Sequence, residues 1–300
     1  MIKGSLVALV TPMQPDGTID QKSLHELVEW HLAQKTQGFI ISGSTGEGSA
    51  LTEEEQYAVI SDVVAQVAGR VPVIAGTGTL STQHTVHLTR NAKKAGADAA
   101  LIVTPYYNKP TQKGLFAHYR EIADAVHLPI ILYNVPGRTA CDILPETVEQ
   151  LAALPSIIGI KEATGKVERT TDIFKRCGKK FAIYSGDDAT ALDSMRQGAV
   201  GVISVTANAA PQKMHAMCEA ALNGDMALAE KINQELMPLH KKLFIESNPI
   251  PLKWVLHQMG LIPAGIRLPL LSLDPQFHTD LKEAMHSAGI VPRQKSFSEC

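Results

Sequence analysis

Short apolar runs alternate with longer amphipathic segments along most of the chain. Leu6–Val10, Phe39–Ile41, Val71–Ala75, Ala99–Val103, Pro129–Tyr133, Ile157–Ile160, Phe181–Tyr184 and Gly201–Ser204 are eight such runs. Continuous apolar runs this short, bounded by Pro, Gly or polar residues, suit strands buried on both faces. The first amphipathic segment spans residues 20–35. It has Leu24, Leu27, Val28 and Leu32 at helical spacing and Asp20 placed to cap it. Thr52-Glu53-Glu54-Glu55 gives a cap followed by an acidic first turn, which suits the positive end of a helix dipole. Further helices are predicted over about 81–95 and 112–126, from Pro145 and from Pro211.

The runs end near residues 10, 43, 76, 104, 133, 161, 185 and 204. Most steps are long enough for one strand plus one helix. Eight steps predict the α/β class with a (β/α)8 TIM-barrel architecture. A doubly wound open sheet is the alternative, but it usually has fewer strands, and no G-x-G-x-x-G follows the first run. Beyond Asn223-Gly224-Asp225 the pattern is helical, over about 225–244, 249–259 and 275–288. We therefore expect a barrel over residues 1–224 that holds the active site. A C-terminal helical extension over 225–292 would pack on it, and 293–300 would be a disordered tail.

Composition narrows the function class. A formal charge of −2 gives no electrostatic case for nucleic acid or an acidic membrane surface. No apolar run reaches the roughly 20 residues of a membrane span. The N-terminal run reads as a first strand, with no cleavage-site pattern. The four cysteines lie far apart without a C-x-x-C pair, which argues against a zinc site or disulfide framework and fits a reducing cytoplasm. His25, His31, His84 and His87 are read as solvated helix-face residues, not as ligands.

One residue breaks the apolar pattern. The sixth run ends in Lys161, and burying an ammonium is expensive unless it is paired or neutral. A neutral amine is a nucleophile toward carbonyl carbon. The bland reading is a lysine that reaches solvent past the strand end. In a barrel of this type the C-terminal strand ends form the active site, so the neighbours there decide the matter. The second strand is followed by Gly43-Ser44-Thr45-Gly46-Glu47-Gly48, a turn able to hold a carboxylate or phosphate, or simply a capped βα turn. Tyr106 and Tyr107 follow the fourth strand. Tyr133 ends the fifth, with Arg138 close behind as a fork for a carboxylate. Asp187 and Asp188 follow the seventh. A capping role is favoured over metal ligation for them, because no other carboxylate or histidine joins them at a strand end.

Period-two geometry adds detail. If Lys161 points into the barrel, Gly159 and Ile157 do too, and Gly159 leaves room beneath the lysine stem. Tyr133 and Lys161 occupy the same relative position on neighbouring strands. An amine beside a tyrosine hydroxyl is the pairing that Schiff-base chemistry requires. Ser44 and Tyr107 could extend a hydroxyl chain to solvent, and Arg138 and Thr45 supply anion recognition. Together these residues suggest a lysine-dependent aldolase or synthase acting on a keto acid.

In order and spacing these motifs resemble the dihydrodipicolinate synthase and N-acetylneuraminate lyase superfamily over residues 1–292. Gly43-Ser44-Thr45-Gly46-Glu47 resembles its pyruvate-carboxylate loop, and Tyr133 to Lys161 its tyrosine-to-lysine spacing. Pro136-Gly137-Arg138-Thr139, Lys161-Glu162-Ala163-Thr164 and Ser185-Gly186-Asp187-Asp188 are nearer to the synthase branch than to the lyase branch.

The resemblance implies condensation of pyruvate with L-aspartate 4-semialdehyde, the first committed step of the diaminopimelate route to lysine. It implies that Lys161 forms the Schiff base and that Tyr133 serves as acid and base. Ser44 and Tyr107 would complete a proton relay, Tyr107 in the neighbouring subunit's site. Thr45 would hold the pyruvate carboxylate, Arg138 the second substrate's carboxylate, and the Gly186 and Ile203 backbone would line the pocket. It further implies a cytoplasmic homotetramer, built as a dimer of dimers, that needs no metal or organic cofactor.

Two departures stand out. Ser44 replaces the threonine of many synthases and lacks its β-branch, which would loosen the relay. At the positions matching a lysine-feedback site stand Glu53, Gln56, Leu80 and His84, with only Tyr106 conforming, so inhibition by lysine is expected to be weak or absent. Two other functions compete: a sister aldolase for sugar acids such as N-acetylneuraminate or 2-keto-3-deoxygluconate, and a catalytically silent pyruvate-binding barrel.

Overall fold

The computed structural model describes residues 1–292. Eight parallel strands close in chain order: β1 Gly4–Ala8, β2 Phe39–Ile41, β3 Val73–Gly76, β4 Ala99–Val103, β5 Ile130–Asn134, β6 Ile157–Glu162, β7 Ala182–Ser185 and β8 Gly201–Ser204. Helices α1 Gln21–Ala33, α2 Glu53–Val67, α3 Thr82–Lys94 and α4 Gln112–Val126 return the chain between the first five strands. The rest are α5 Pro136–Thr139, α6 Pro145–Ala152, α7 Val167–Cys177, α8 Ala191–Arg196, α9 Pro211–Leu222, α10 Met226–Lys242, α11 Ile250–Gln258 and α12 His278–Ser287. None of the described helices is long and apolar enough to cross a membrane.

Local chemistry accounts for the boundaries. Asp20, Ser81 and Thr111 each accept from a backbone N–H of the helix that follows them. Thr52 and Glu55 form a reciprocal capping box on α2. The third apolar run begins at Val71, yet β3 begins at Val73. Pro72 accepts from Phe39 N–H but has no N–H of its own to give a ladder. Helix α7 is mostly polar and α8 spans only six residues, so both escape a reading based on apolar spacing.

Strand side chains divide between two layers. Leu6, Ile40, Ile74, Leu101, Ile131, Tyr133, Tyr184 and Ile203 fill the barrel. Phe39, Ile41, Ile102, Leu132, Ile160, Ile183 and Val202 face the helices. That outer core also includes Leu236, Leu239, Leu252, Val255, Leu281 and Met285, so the C-terminal helices bury their apolar stripes in the same core as the barrel's outer layer. The predicted tail over 293–300, with Cys300, lies outside the described residues. Cys141, Cys177 and Cys218 are free thiols.

Two expectations are corrected. His31 is fully buried between Trp30 and Phe39, with Nδ1 2.9 Å from the Thr36 hydroxyl. Burial pulls its pKa down to about 3. Ile157 faces the helix layer, and Ile158 packs into the barrel in its place. The β5–β6 register jumps from Ile130–Ile157 to Ile131–Gly159, so one extra residue on β6 inverts the alternation below Gly159.

Candidate active site

Lys161 lies one residue before the end of β6, and it is 5% exposed. The strand register sets Tyr133 and Tyr184 level with it on either side. Its Nζ stands over the Tyr133 ring, 4.5 Å from the centroid. Among the described residues no carboxylate or hydrogen-bond partner holds that Nζ. The adjacent carboxylate is engaged on the other face of the strand. Glu162 accepts from Asn134 Nδ2 at 3.0 Å and from Thr164 N–H at 2.8 Å, with Arg169 Nε 3.9 Å away. Burial raises the Glu162 pKa, and those donors oppose the rise. Lys161 is thus a buried amine with no counter-ion among the described residues.

A cavity of about 110 Å³ opens over Lys161, walled by Ser44, Thr45, Tyr133, Gly186 and Val205. It shares Ser44, Tyr133, Arg138 and Asn248 with a wider cleft of about 770 Å³. The room around the lysine stem comes from Gly186, not from Gly159. A Cβ on Gly186 would lie 2.9 Å from Lys161 Cε and 3.0 Å from its Cγ. A Cβ on Gly159 would instead strike the Ala182 carbonyl oxygen at 2.4 Å. Gly159 therefore permits close approach of β7, while Gly186 shapes the site.

The loop after β2 supplies the opposite wall. Ser42 and Glu47 hold φ of +57° and +53°, a left-handed backbone that costs energy in non-glycine residues. A Cβ on Gly48 would fall 2.0 Å from the Ser42 carbonyl oxygen, so the loop closes tightly on itself. Thr45 Oγ1 accepts from Asn248 Nδ2 at 2.9 Å. The Ser44 side chain is exposed, and neither the Ser44 nor the Thr45 N–H donates to another group among the described residues. Two free amide donors at a cavity wall are of the kind that can cradle an anion. Arg138 is exposed at the mouth, and its Nη2 donates to the Asn248 carbonyl at 3.1 Å.

A model of the Dihydrodipicolinate synthetase family matches residues 1–288. The chain belongs to that family. It is 58% identical to the 4-hydroxy-tetrahydrodipicolinate synthase of Pseudomonas aeruginosa, over 97% of this chain and 100% of that protein. It is 57% identical to the synthase of the same name from Alcanivorax borkumensis, over 97% and 99%. Among solved structures it resembles the chloride-inhibited dihydrodipicolinate synthase of Acinetobacter baumannii, complexed with pyruvate. The TM-score there is 0.96, with 52% identity over 97% of this chain and 100% of that one.

In this synthetase-family barrel Lys161, Tyr133, Ser44, Thr45, Arg138 and Gly186 share one cavity. Tyr107 does not join them. It is 87% exposed on a left-handed backbone, and Tyr106 lines the wider cleft instead. Ile203 packs inside the barrel, fully buried. Asp187 caps a short turn by accepting from Thr190 N–H and Oγ1, as its capping reading expects. Asp188 instead accepts from the Val205 and Thr206 N–H groups at 2.9 and 3.0 Å, tying the β7 loop to the β8 loop.

Sequence reasoning passed over Asn248, Glu47 and Lys253. Glu47 was visible in the glycine-rich turn without a role. Lys253 interrupts an apolar helical stretch, the same signal that marked Lys161. No sequence signal connects Asn248 to Thr45, 203 residues away.

Proposed function

We propose that this chain condenses pyruvate with L-aspartate 4-semialdehyde through a Schiff base on Lys161. The product is 4-hydroxy-tetrahydrodipicolinate, and the enzyme is a carbon–oxygen lyase of the hydro-lyase type. The observation that carries the reading is the buried, unpaired Lys161 amine over the Tyr133 ring, across one cavity from the free amides of Ser44 and Thr45. Its relatives' names support the choice of substrates.

Thr45 and the loop amides hold the pyruvate carboxylate, which presents the keto carbon to Lys161 Nζ. Attack gives a carbinolamine, and loss of water gives an iminium. Tyr133 delivers and removes protons at the carbinolamine oxygen. The iminium withdraws electrons from the methyl carbon, so deprotonation gives an enamine, and the enamine carbon adds to the aldehyde. The second substrate's own amine then displaces Lys161, closing the ring and freeing the lysine. The iminium is the electron sink, so this sequence calls for no further cofactor.

Arg138 receives the second substrate's carboxylate at the mouth. The backbone of Gly186 completes the lining, while Ile203 packs inside the barrel. Ser44 passes protons between Tyr133 and Tyr107, and the exposure of Tyr107 suits a residue that serves a neighbouring subunit of a homotetramer. The setting is the cytoplasm, where lysine precursors are made.

Incubation with pyruvate and borohydride, followed by peptide mass spectrometry, tests the reading. A reduced adduct on Lys161 is expected, and its absence refutes the Schiff base. A coupled assay should then show turnover with aspartate semialdehyde and not with N-acetylneuraminate. The opposite preference moves the chain to the sugar-acid aldolases.

A further inference from the structure

Outside the cavity over Lys161, one pair of opposite charges among the described residues is almost wholly removed from water. The Lys253 side chain on α11 is 4% exposed and the Glu47 side chain 1%, and Lys253 Nζ bonds Glu47 Oε1. The same Nζ donates to the Gly265 carbonyl at 2.9 Å, and Glu47 Oε2 accepts from Arg267 N–H at 3.0 Å. Arg267 in turn donates to the Ala50 carbonyl at 2.8 Å and grips Glu55 with both terminal nitrogens at 2.7 and 2.6 Å. These contacts fall on the C-terminal side of the loop that holds Ser44 and Thr45, and they join it to a segment more than 200 residues later.

A buried ion pair is seldom a net source of stability, because desolvation offsets the attraction. Burial pulls the Lys253 pKa down, and Glu47 opposes that. The arrangement makes better sense as a device for holding a conformation that the loop would not keep alone. Glu47 sits in a left-handed backbone, which persists only where surroundings over-determine it. The next residue, Gly48, closes on Ser42, and the free amides of Ser44 and Thr45 lie between these two strained points.

We infer that Glu47 and Lys253 are positioning residues, forming an ionic clasp by which the C-terminal segment fixes the amide cradle for the substrate carboxylate. The inference rests on the pyruvate reading of that cradle. The clasp touches no reacting atom, so it sets affinity for the keto acid without setting the capacity to form adduct.

Glu47→Gln keeps the side-chain volume and an acceptor for Arg267 N–H while removing the charge. Two readouts on the full chain are needed. Hydrogen exchange of the 42–51 amides should rise by about tenfold or more, reporting local opening of the loop. The pyruvate concentration that half-saturates borohydride trapping should rise by about tenfold, with the trapped fraction at saturation unchanged, as loss of ground-state binding requires. Lys253→Met should show the same two shifts. A folded Glu47→Gln protein with wild-type half-saturation overturns the proposal, even if it melts earlier, because a merely structural pair gives that pattern. A wild-type protein that traps no pyruvate refutes the functional reading instead. In that case the 42–51 exchange alone decides the clasp, with unchanged exchange in Glu47→Gln overturning it.

Discussion

Replacing Gly186 with alanine tests whether the cavity is built around the lysine stem. The added Cβ would lie 2.9 Å from Lys161 Cε, 3.0 Å from its Cγ and 2.6 Å from Ala163 Cβ. Ordinary carbon contacts sit at about 3.5–4.0 Å, so the stem must retreat by roughly 0.6–1 Å. The Ala163 contact blocks relief by moving the loop alone. Overpacking of this kind costs about 1–3 kcal/mol in stability. A displacement near 1 Å at a reacting atom costs about 100-fold in rate, or roughly 2.7 kcal/mol of barrier. The rate of borohydride-trapped adduct formation at saturating pyruvate should therefore fall by about 100-fold, while the protein stays folded by circular dichroism. Gly159→Ala provides the contrast. It strikes backbone, the Ala182 carbonyl, so it should lower the melting temperature more than Gly186→Ala does. A Gly186→Ala protein that traps pyruvate at the wild-type rate refutes the reasoning about the stem.

Arg138→Ala should raise the KM for the semialdehyde by about 10- to 100-fold, the worth of a charged hydrogen bond, and leave adduct formation intact. Loss of the adduct in that variant contradicts the assigned role. Lysine at millimolar concentration should change activity by less than the roughly fivefold typical of allosteric coupling. Glu53 already sits between His84 and His87, and the Gln56 amide already donates to the Gly76 carbonyl. Strong inhibition of the purified enzyme overturns that expectation. His31 is held neutral, with a folded pKa of about 3 against 6.5 in the open chain. The unfolded state binds the extra proton between those values, so stability falls as pH drops from about 6.5 toward 3. The slope is up to about 1.4 kcal/mol per pH unit. Denaturant melts of His31→Gln across that window should show a shallower acid slope, and an unchanged slope removes His31 as the cause.

The arrangement of side chains at the strand ends was legible because barrel geometry converts sequence position into height. Tyr133 and Lys161 end apolar runs one strand-helix step apart, and the register places them side by side. Capping residues such as Asp20 and Thr52 likewise announce their helices, since an N-cap bond is made within three residues.

What the sequence determined by itself was therefore local or periodic: the eight strands, most of the helices, and the placement of Lys161 beside Tyr133 at the strand ends. Tertiary structure decided the rest. A one-residue bulge turned Ile157 outward, because alternation holds only while pairing is regular. Gly186, not Gly159, made room for the lysine, since steric neighbours across strands follow from barrel packing. His31 was buried by Phe39 from another element. Asn248 reached Thr45, and Lys253 reached Glu47, across some 200 residues of chain. Such partners meet only when the last helices fold back over the barrel mouth, and no period in the sequence carries that information.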